Sequence, residues 1–470
     1  MTMSETTPTC SRCTVLEAEL AALKAEVARL ADELAKAHKN SANSSKRPSS
    51  DIVKPPPDTD KSGKMKKRKR GGQLGHQRHE RPAFEASQVD KTKNYTLSGC
   101  PYCGGAVEVS DEAPRVIQQV EMQDTPLIVT EHRGQAYWCP NCQKIHYAPI
   151  PEPIKKEGLF GPRIHTLVAY LKGVCHCSYS TIRKFLRDVV KVQVSRGYLA
   201  QVCAEVSDSL EDAYVNLLEL LSKQPVVNVD ETGHKNNGDR LWTWCFRAPL
   251  FTLFKISPSR GSDVLVEVLG KEFNGLLGCD YFSAYRKYMK DFGVLVQFCL
   301  AHLIRDIKFL TTHPNQPNQS YGNRVLDAVR AMFAIIHRRD KMSAEQFALE
   351  LEDAGNALWG TATYRVPNTK EAQNLANRFE KHGDSYIRFI TTPGLEPTNN
   401  LAEQAIRFVV IDRHITQGTR SETGQHWSER IWTVIATCTQ QGRSVFSFLY
   451  DSIVAHFQSE PAPELLPNTS

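Results

Sequence analysis

The sequence predicts an α/β protein with a central mixed β-sheet, helices packed against it and smaller modules on its N-terminal side. Three observations carry this expectation. The apolar run PVVNVD, Pro225 to Asp230, ends on a carboxylate, as a buried strand does when it delivers a charge to a sheet edge. Two more strand-like runs, LWTWCFR at 241–247 and LFTLFKI at 250–256, follow over hairpin-length links. Helical and strand patterns then alternate: helix 262–270, strand 275–280, a short helix, strand 294–298 (VLVQF) and helix 300–310.

Three strands on short links followed by alternation is the element order of a ribonuclease-H-like domain. In that order the first and fourth strands lie side by side, which brings Asp230 and Asp280 to one edge. Residues 312–398 break the alternation. Their amphipathic patterns at Val325–Ile336, Ala344–Leu358 and Ala372–Ile390 predict a helical insertion, with the core comprising 223–311 and 399–458.

Bulk properties narrow the function classes. A chain of 470 residues, 41% hydrophobic, is too long for one ordinary domain and can bury a large core. No apolar run approaches the roughly 20 residues of a membrane span, and there is no signal-peptide pattern, so a soluble, cytoplasmic protein is expected. Six of the thirteen cysteines form three Cys-x-x-Cys pairs, which suits a reducing compartment with metal better than a disulfide framework. The net charge of +6 is concentrated: Lys36 to Arg81 holds fourteen Lys and Arg against four acids, so the remainder is slightly acidic.

From the N-terminus, Leu16, Leu20, Leu23, Val27, Leu30 and Leu34 alternate spacings of four and three, an a/d seam over residues 1–38. Coiled-coil self-association is favoured over packing on the protein's own body, because a basic linker follows rather than globular sequence. That linker, 39–95, has too little apolar surface to offset chain entropy and reads as disordered until bound. Lys64, Lys66, Lys67, Arg68, Lys69 and Arg70 make six cations in seven residues, a DNA-phosphate footprint rather than a solvated linker.

Residues 96–150 carry Cys100-Pro-Tyr-Cys103 and Cys139-Pro-Asn-Cys142 around a strand-like stretch that includes Val116–Met122 and Leu127–Thr130. Two such knuckles can close a tetrahedral site of four thiolates, a zinc ribbon whose structural Zn²⁺ has no open position for chemistry. Residues 160–222 read as helices, one of them capped by Ser195, with cations including Arg183 and Lys184 on polar positions. A helix-turn-helix-like DNA reader and a bundle with charged outer faces fit that spacing equally.

Each acid at the core has an ordinary explanation when taken singly. Asp230 and Asp280 could form turns, and Glu403 would sit at the capping-box position if Asn400 were the N-cap. Together, two strand-end aspartates and a helix-borne glutamate form a carboxylate site for two Mg²⁺ ions, suited to in-line phosphoryl displacement.

Motifs in order extend this reading over nearly the whole chain: NSSKRPSSD, RGGQLGH, the two cysteine knuckles, NVDETGHK followed by LWTW, GCDYFSAY, Cys299-Leu-Ala-His302, and PTNNLAEQAIR followed by the Arg413 region and Gly418. With them the chain resembles an insertion-sequence transposase of the sixty-six family (TnpC type). The resemblance implies a DDE triad matching Asp230, Asp280 and Glu403, using two Mg²⁺ ions for which Mn²⁺ can substitute. It implies cleavage at the ends of an insertion sequence and joining of the freed 3′-hydroxyls to target DNA. It also implies recognition of terminal inverted repeats and cooperation with small accessory proteins. Gln404 stands where the family usually has Arg, leaving Arg407 for a phosphate contact, and His302 to orient DNA or water. The alternatives are a metal-dependent nuclease or resolvase on the same fold, and a catalytically dead DNA-binding derivative.

Overall fold

A computed structural model describes residues 11–37, 83–98, 100–106, 108, 116–120, 127–392 and 394–466. The cationic run Lys64–Arg70 and most of the basic linker lie outside the described residues. The chain divides into two compact units, residues 56–131 and the remainder.

In the smaller unit, the first cysteine knuckle closes through Cys100 N donating to Gly105 O at 2.8 Å and Gly104 N to Cys100 O at 2.8 Å. Gly104 takes the left-handed φ of +72° that such a knuckle needs. The strand expectation for the stretch that follows is not met: residues 116–120 and 127–130 have no regular secondary structure, and Ile117 and Ile128 are exposed. β-branched residues favour strands through cross-strand packing, and these residues have no ladder to pack in.

The larger unit begins with α1 (Ser11–Ala37), whose leucine seam is open to solvent, from Leu20 at 51% to Leu23 at 65% exposed. Near its C-terminal end it touches the helical insertion, Asp32 Oδ1 lying 3.2 Å from His313 Nε2 and Lys36 Nζ 3.4 Å from Glu371 Oε1. The hairpin β1 (Ala136–Cys139) and β2 (Lys144–Tyr147) follows, with Cys139 opposite Lys144 and the second knuckle at its turn.

Helices α2 (Glu152–Glu157), α3 (Pro162–Gly173), α4 (Tyr179–Phe185), α5 (Arg196–Ser209) and α6 (Glu211–Leu221) form the helical region. Ser195 caps α5 as expected, its hydroxyl accepting from Tyr198 N at 3.0 Å. The inner faces of α3 and α5 pack against α14 (Glu422–Gln440) and α15 (Val445–Gln458), with the His165 ring 5.0 Å from that of Phe457. Arg183 and Lys184 stay exposed on α4.

The sheet contains β3 (Val226–Asn236), β4 (Asp239–Arg247), β5 (Thr252–Ser257), β6 (Leu276–Cys279) and β7 (Leu295–Phe298), in the order β5-β4-β3-β6-β7. The first three are antiparallel, whereas β6 and β7 run parallel to β3 and to each other. The first and fourth strands of the sheet are neighbours. α7 (Ser262–Leu269) and α8 (Ser283–Phe292) make the connections after β5 and β6, and α9 (Leu300–Thr311) leaves β7. The insertion consists of α10 (Gln316–Ile336), α11 (Ala344–Thr363) and α12 (Lys370–Ile387), the last kinked at His382. The chain returns through α13 (Asn400–Thr416), which packs on β3.

Edge strand β5 is covered by α14. Thr437 and Thr433 hydroxyls accept from Thr252 N and Phe254 N at 3.2 and 3.0 Å, and Glu429 accepts from Ile256 N at 2.6 Å. Helix side chains thereby occupy donors that would otherwise invite another strand. After α13 the chain folds back on β3, with Thr419 N donating to Lys235 O and Asn237 N to Thr419 O, both at 2.9 Å. This approach requires Gly418, which has φ +88° and whose added Cβ would lie 2.2 Å from Lys235 O. Gly418→Ala is expected to cost about 1–3 kcal/mol of stability, read as a lower urea midpoint.

Among the described residues no helix is long and apolar enough to cross a membrane.

Candidate active site

The two aspartates reach one level of the sheet by register. β3 and β6 pair in parallel from Val226↔Leu276 to Asn228↔Gly278. Asp230 and Asp280 each lie two residues further on, where this pairing stops. Asp230 is not at the end of its strand, as the apolar run suggested: β3 continues to Asn236 because β4 pairs with it that far, Asp230 itself opposite Cys245. It stands instead where one flank of β3 loses its neighbour, which serves the same purpose. Asp230 Oδ1 accepts from Glu231 N and Asp280 Oδ1 from Phe282 N, both at 2.9 Å. The second bond is the turn-forming role expected of Asp280.

Glu403 is brought to this edge by a chain of hydrogen bonds centred on Asn399. Its Nδ2 donates to Val229 O at 2.8 Å, beside Asp230, and its backbone N to Cys299 Sγ at 3.2 Å. Cys299 N in turn donates to Cys279 O at 2.8 Å, beside Asp280. Asn399 is the N-cap of α13, so Glu403 lies in the fourth helical position, its N–H bonded to Asn399 O at 3.1 Å. The capping-box explanation of Glu403 therefore fails. It rested on Asn400 as cap, and the tertiary bonds of Asn399 shift the helix start by one residue.

The Glu403 carboxylate faces two basic groups. Oε1 lies 3.5 Å from His302 Nδ1, and Oε2 lies 3.6 Å from Arg305 Nη2. Arg305 Nη1 also approaches His302 Nε2 at 3.3 Å. A guanidinium can only donate, so Nε2 accepts and the imidazole proton sits on Nδ1, pointed at Glu403. Burial, then the Arg305 charge, hold the His302 pKa below its usual value, which keeps the ring neutral. Glu403 Oε1 and His302 Nδ1 are both buried and lack a bond within ordinary range. The Glu403 ligand atom lies within 4.8 Å of those of Cys299 and His302, and a buried carboxylate oxygen with spare acceptor capacity fits a hard cation such as Mg²⁺.

Sequence reasoning passed over Glu231. Side chains alternate along a strand, so it points away from Asp230 and is fully buried. Arg260 Nη2 binds it at 2.7 Å, and the Tyr285 hydroxyl donates to it at 2.5 Å. Arg260 in turn stacks on Phe282 and Trp242, 4.0 and 4.5 Å from the ring centres. Burial first, then the charges of Glu231, Asp280 and Asp230, push the Tyr285 phenol well above its usual pKa. It stays a donor and braces the strand beneath the acids. The acidic neighbour of Asp230 was visible in the sequence, but its partners lie 29 and 54 residues away.

At the second knuckle, Cys139, Cys142 and His146 present ligand atoms within 4.8 Å of one another, with Cys142 Sγ 3.0 Å from His146 Nε2. The backbone N–H of Cys142 lowers the Cys139 pKa, and that of Cys103 lowers the Cys100 pKa, as thiolate ligands require. His146 was not foreseen as a neighbour. Cys100 and Cys103 belong to the other unit. Arg407 is exposed on α13.

Against known proteins, a model of the family described as "Transposase IS66 family" matches residues 157–426. A model of a family of unknown function matches 5–82. Two proteins of Sinorhizobium fredii (strain NBRC 101917 / NGR234) are similar to the chain. "Uncharacterized protein y4qI" is 23% identical over 310 residues, 60% of this chain and 56% of that one. "Uncharacterized protein y4hP" is 23% identical over 409 residues, 78% of this chain and 72% of that one. The chain thus spans little more than half the length of the first of these relatives. The family match takes in all three acids, the whole sheet and more than half of the chain, which belongs to the IS66 family of transposases.

Proposed function

We propose that the protein is a DDE transposase on a ribonuclease-H-like core, with Asp230, Asp280 and Glu403 as its metal-binding carboxylates. One observation carries this: the β3–β6 register and the bonds of Asn399 and Cys299 converge on the residues beside all three acids. Two Mg²⁺ ions held there would stabilise the attacking and leaving oxygens of an in-line phosphoryl displacement. The chain's own part is positional. Asp230 would serve both cations and Asp280 and Glu403 one each, while His302 and Arg305 orient the Glu403 carboxylate. Water attacks first at the element's end, breaking the P–O3′ bond and freeing a 3′-hydroxyl, and that hydroxyl then attacks a target phosphate and displaces the target strand's own 3′-oxygen.

The other modules serve DNA and assembly. The cationic run Lys64–Arg70, Arg183, Lys184 and Arg407 supply phosphate contacts, and accessory proteins of the same element complete the machinery. The cysteine knuckles hold structural Zn²⁺. Dialysed protein should contain zinc, and Cys142→Ser should lower its content, as metal analysis would show. The open leucine seam of α1 pairs two copies. Leu23→Lys with Leu30→Lys should give a monomer by sedimentation with unchanged melting, and persistence of the oligomer would move the interface elsewhere.

The deciding experiment is strand joining in vitro, with labelled duplexes bearing the element's ends, purified protein and Mg²⁺. Joined product from wild type and none from Glu403→Gln is the expected result. Nicking without joining of pre-cleaved 3′-hydroxyl ends would mark a nuclease, and DNA binding without either a catalytically dead derivative.

A further inference from the structure

A cavity of about 430 Å³ opens where α3, α4 and α5 meet the C-terminal end of α13, the start of α14 and the far half of β3. Its lining combines cations (Lys172, Arg413, Arg420) with aromatic surface (Tyr179, Trp427) and the buried imidazole of His234. Its one acid, Asp412, is engaged by His176 Nδ1 at 2.9 Å, so the lining is net positive.

The walls are firmly placed. Arg413 Nη1 donates to Thr232 Oγ1 at 3.1 Å and to Gly233 O, which fixes its guanidinium against β3. His234 Nε2 lies 3.0 Å from Thr419 Oγ1, and its Nδ1 is buried with no hydrogen-bond partner. Burial, then the Arg413 charge, lower the His234 pKa to about 4, so the ring is a neutral donor and acceptor at working pH.

The cavity also has a fixed relation to the three acids. Asp230 and His234 are four residues apart on one strand, about 13 Å. Glu403 and Arg413 are ten residues apart on one helix, about 15 Å. Both elements lead from the carboxylates to this cavity, over a distance that a DNA strand covers in a few nucleotides.

We propose that this cavity receives one nucleotide of the DNA strand being processed, its phosphate held by Lys172, Arg413 and Arg420 and its base laid against the aromatic lining. The inference rests on the DNA-processing reading of the carboxylate site. Cations combined with aromatic faces are what a single-stranded nucleotide needs, and every base offers a face to stack. The net positive lining suits a ligand that carries negative charge, and duplex DNA is too wide for so small a space.

The test is fluorescence anisotropy with the full chain, comparing a labelled twelve-residue oligo-dT with an abasic deoxyribose-phosphate chain of the same length. Two variants fill the cavity from α5, the exposed Ala200→Trp and the half-buried Ala204→Phe. Wild type should bind oligo-dT roughly tenfold or more tightly than the abasic chain. Either variant, if folded by circular dichroism, should bring that ratio towards one with duplex affinity unchanged. A ratio near one in wild type, or an undiminished ratio in both variants, overturns the proposal. Strand joining is scored separately: base-dependent binding without joining keeps the cavity and removes the transposase reading, and joining without base-dependent binding does the reverse.

Discussion

Asp230→Asn is expected to abolish strand joining, a loss of roughly 10³-fold or more, while duplex DNA is retained with unchanged affinity. The size follows from the several kcal/mol that charge stabilisation by bound cations contributes to phosphoryl transfer, at tenfold per 1.36 kcal/mol. Misfolding is separable from this outcome. Asn keeps an oxygen to accept from Glu231 N, so the local bond at 2.9 Å survives. Mg²⁺ should raise the melting temperature of wild type, because it binds only the folded state, and should do so much less for the variant. A wild type indifferent to Mg²⁺ would make the three acids structural, and retained joining would remove Asp230 from the reaction.

What the sequence disclosed and what it concealed divide along a physical line. The strands were legible because each is a local apolar run between turn signals, and the order in which they occur constrains how they pair. The Glu403 helix was legible as an element but not in its first residue, because Asn399 becomes the cap through bonds to Val229 and Cys299, 170 and 100 residues away. Val116 and Leu127 lie in runs that read as strands only if a ladder exists to receive them. Glu231 illustrates the reverse case: the acid was plain to see, but its burial under Arg260 and Tyr285 depended on partners that no spacing rule connects. The cavity beside Arg413 is of the same kind, since five separate helices and a strand contribute to it.

The same limit applies to His302, whose role follows from a proton rather than a position. With Nε2 accepting from Arg305 at 3.3 Å, its Nδ1–H is what Glu403 faces at 3.5 Å, and a protonated nitrogen cannot itself be a metal ligand. His302 is therefore a positioning residue for Glu403, and amide substitutions can tell the two nitrogens apart. Asn places a donor near the position of Nδ1, whereas Gln reaches towards Nε2. His302→Gln should weaken Mn²⁺ binding, titrated by electron paramagnetic resonance, by about 10–100-fold, the usual cost of losing the partner of a metal-binding side chain. His302→Asn should remain within a few-fold of wild type and recover most of the joining rate. If Asn is as impaired as Gln, the Nδ1 donor is not what matters, and His302 would act through its Nε2 or its bulk. If neither variant changes Mn²⁺ affinity, Glu403 is held by Arg305 alone.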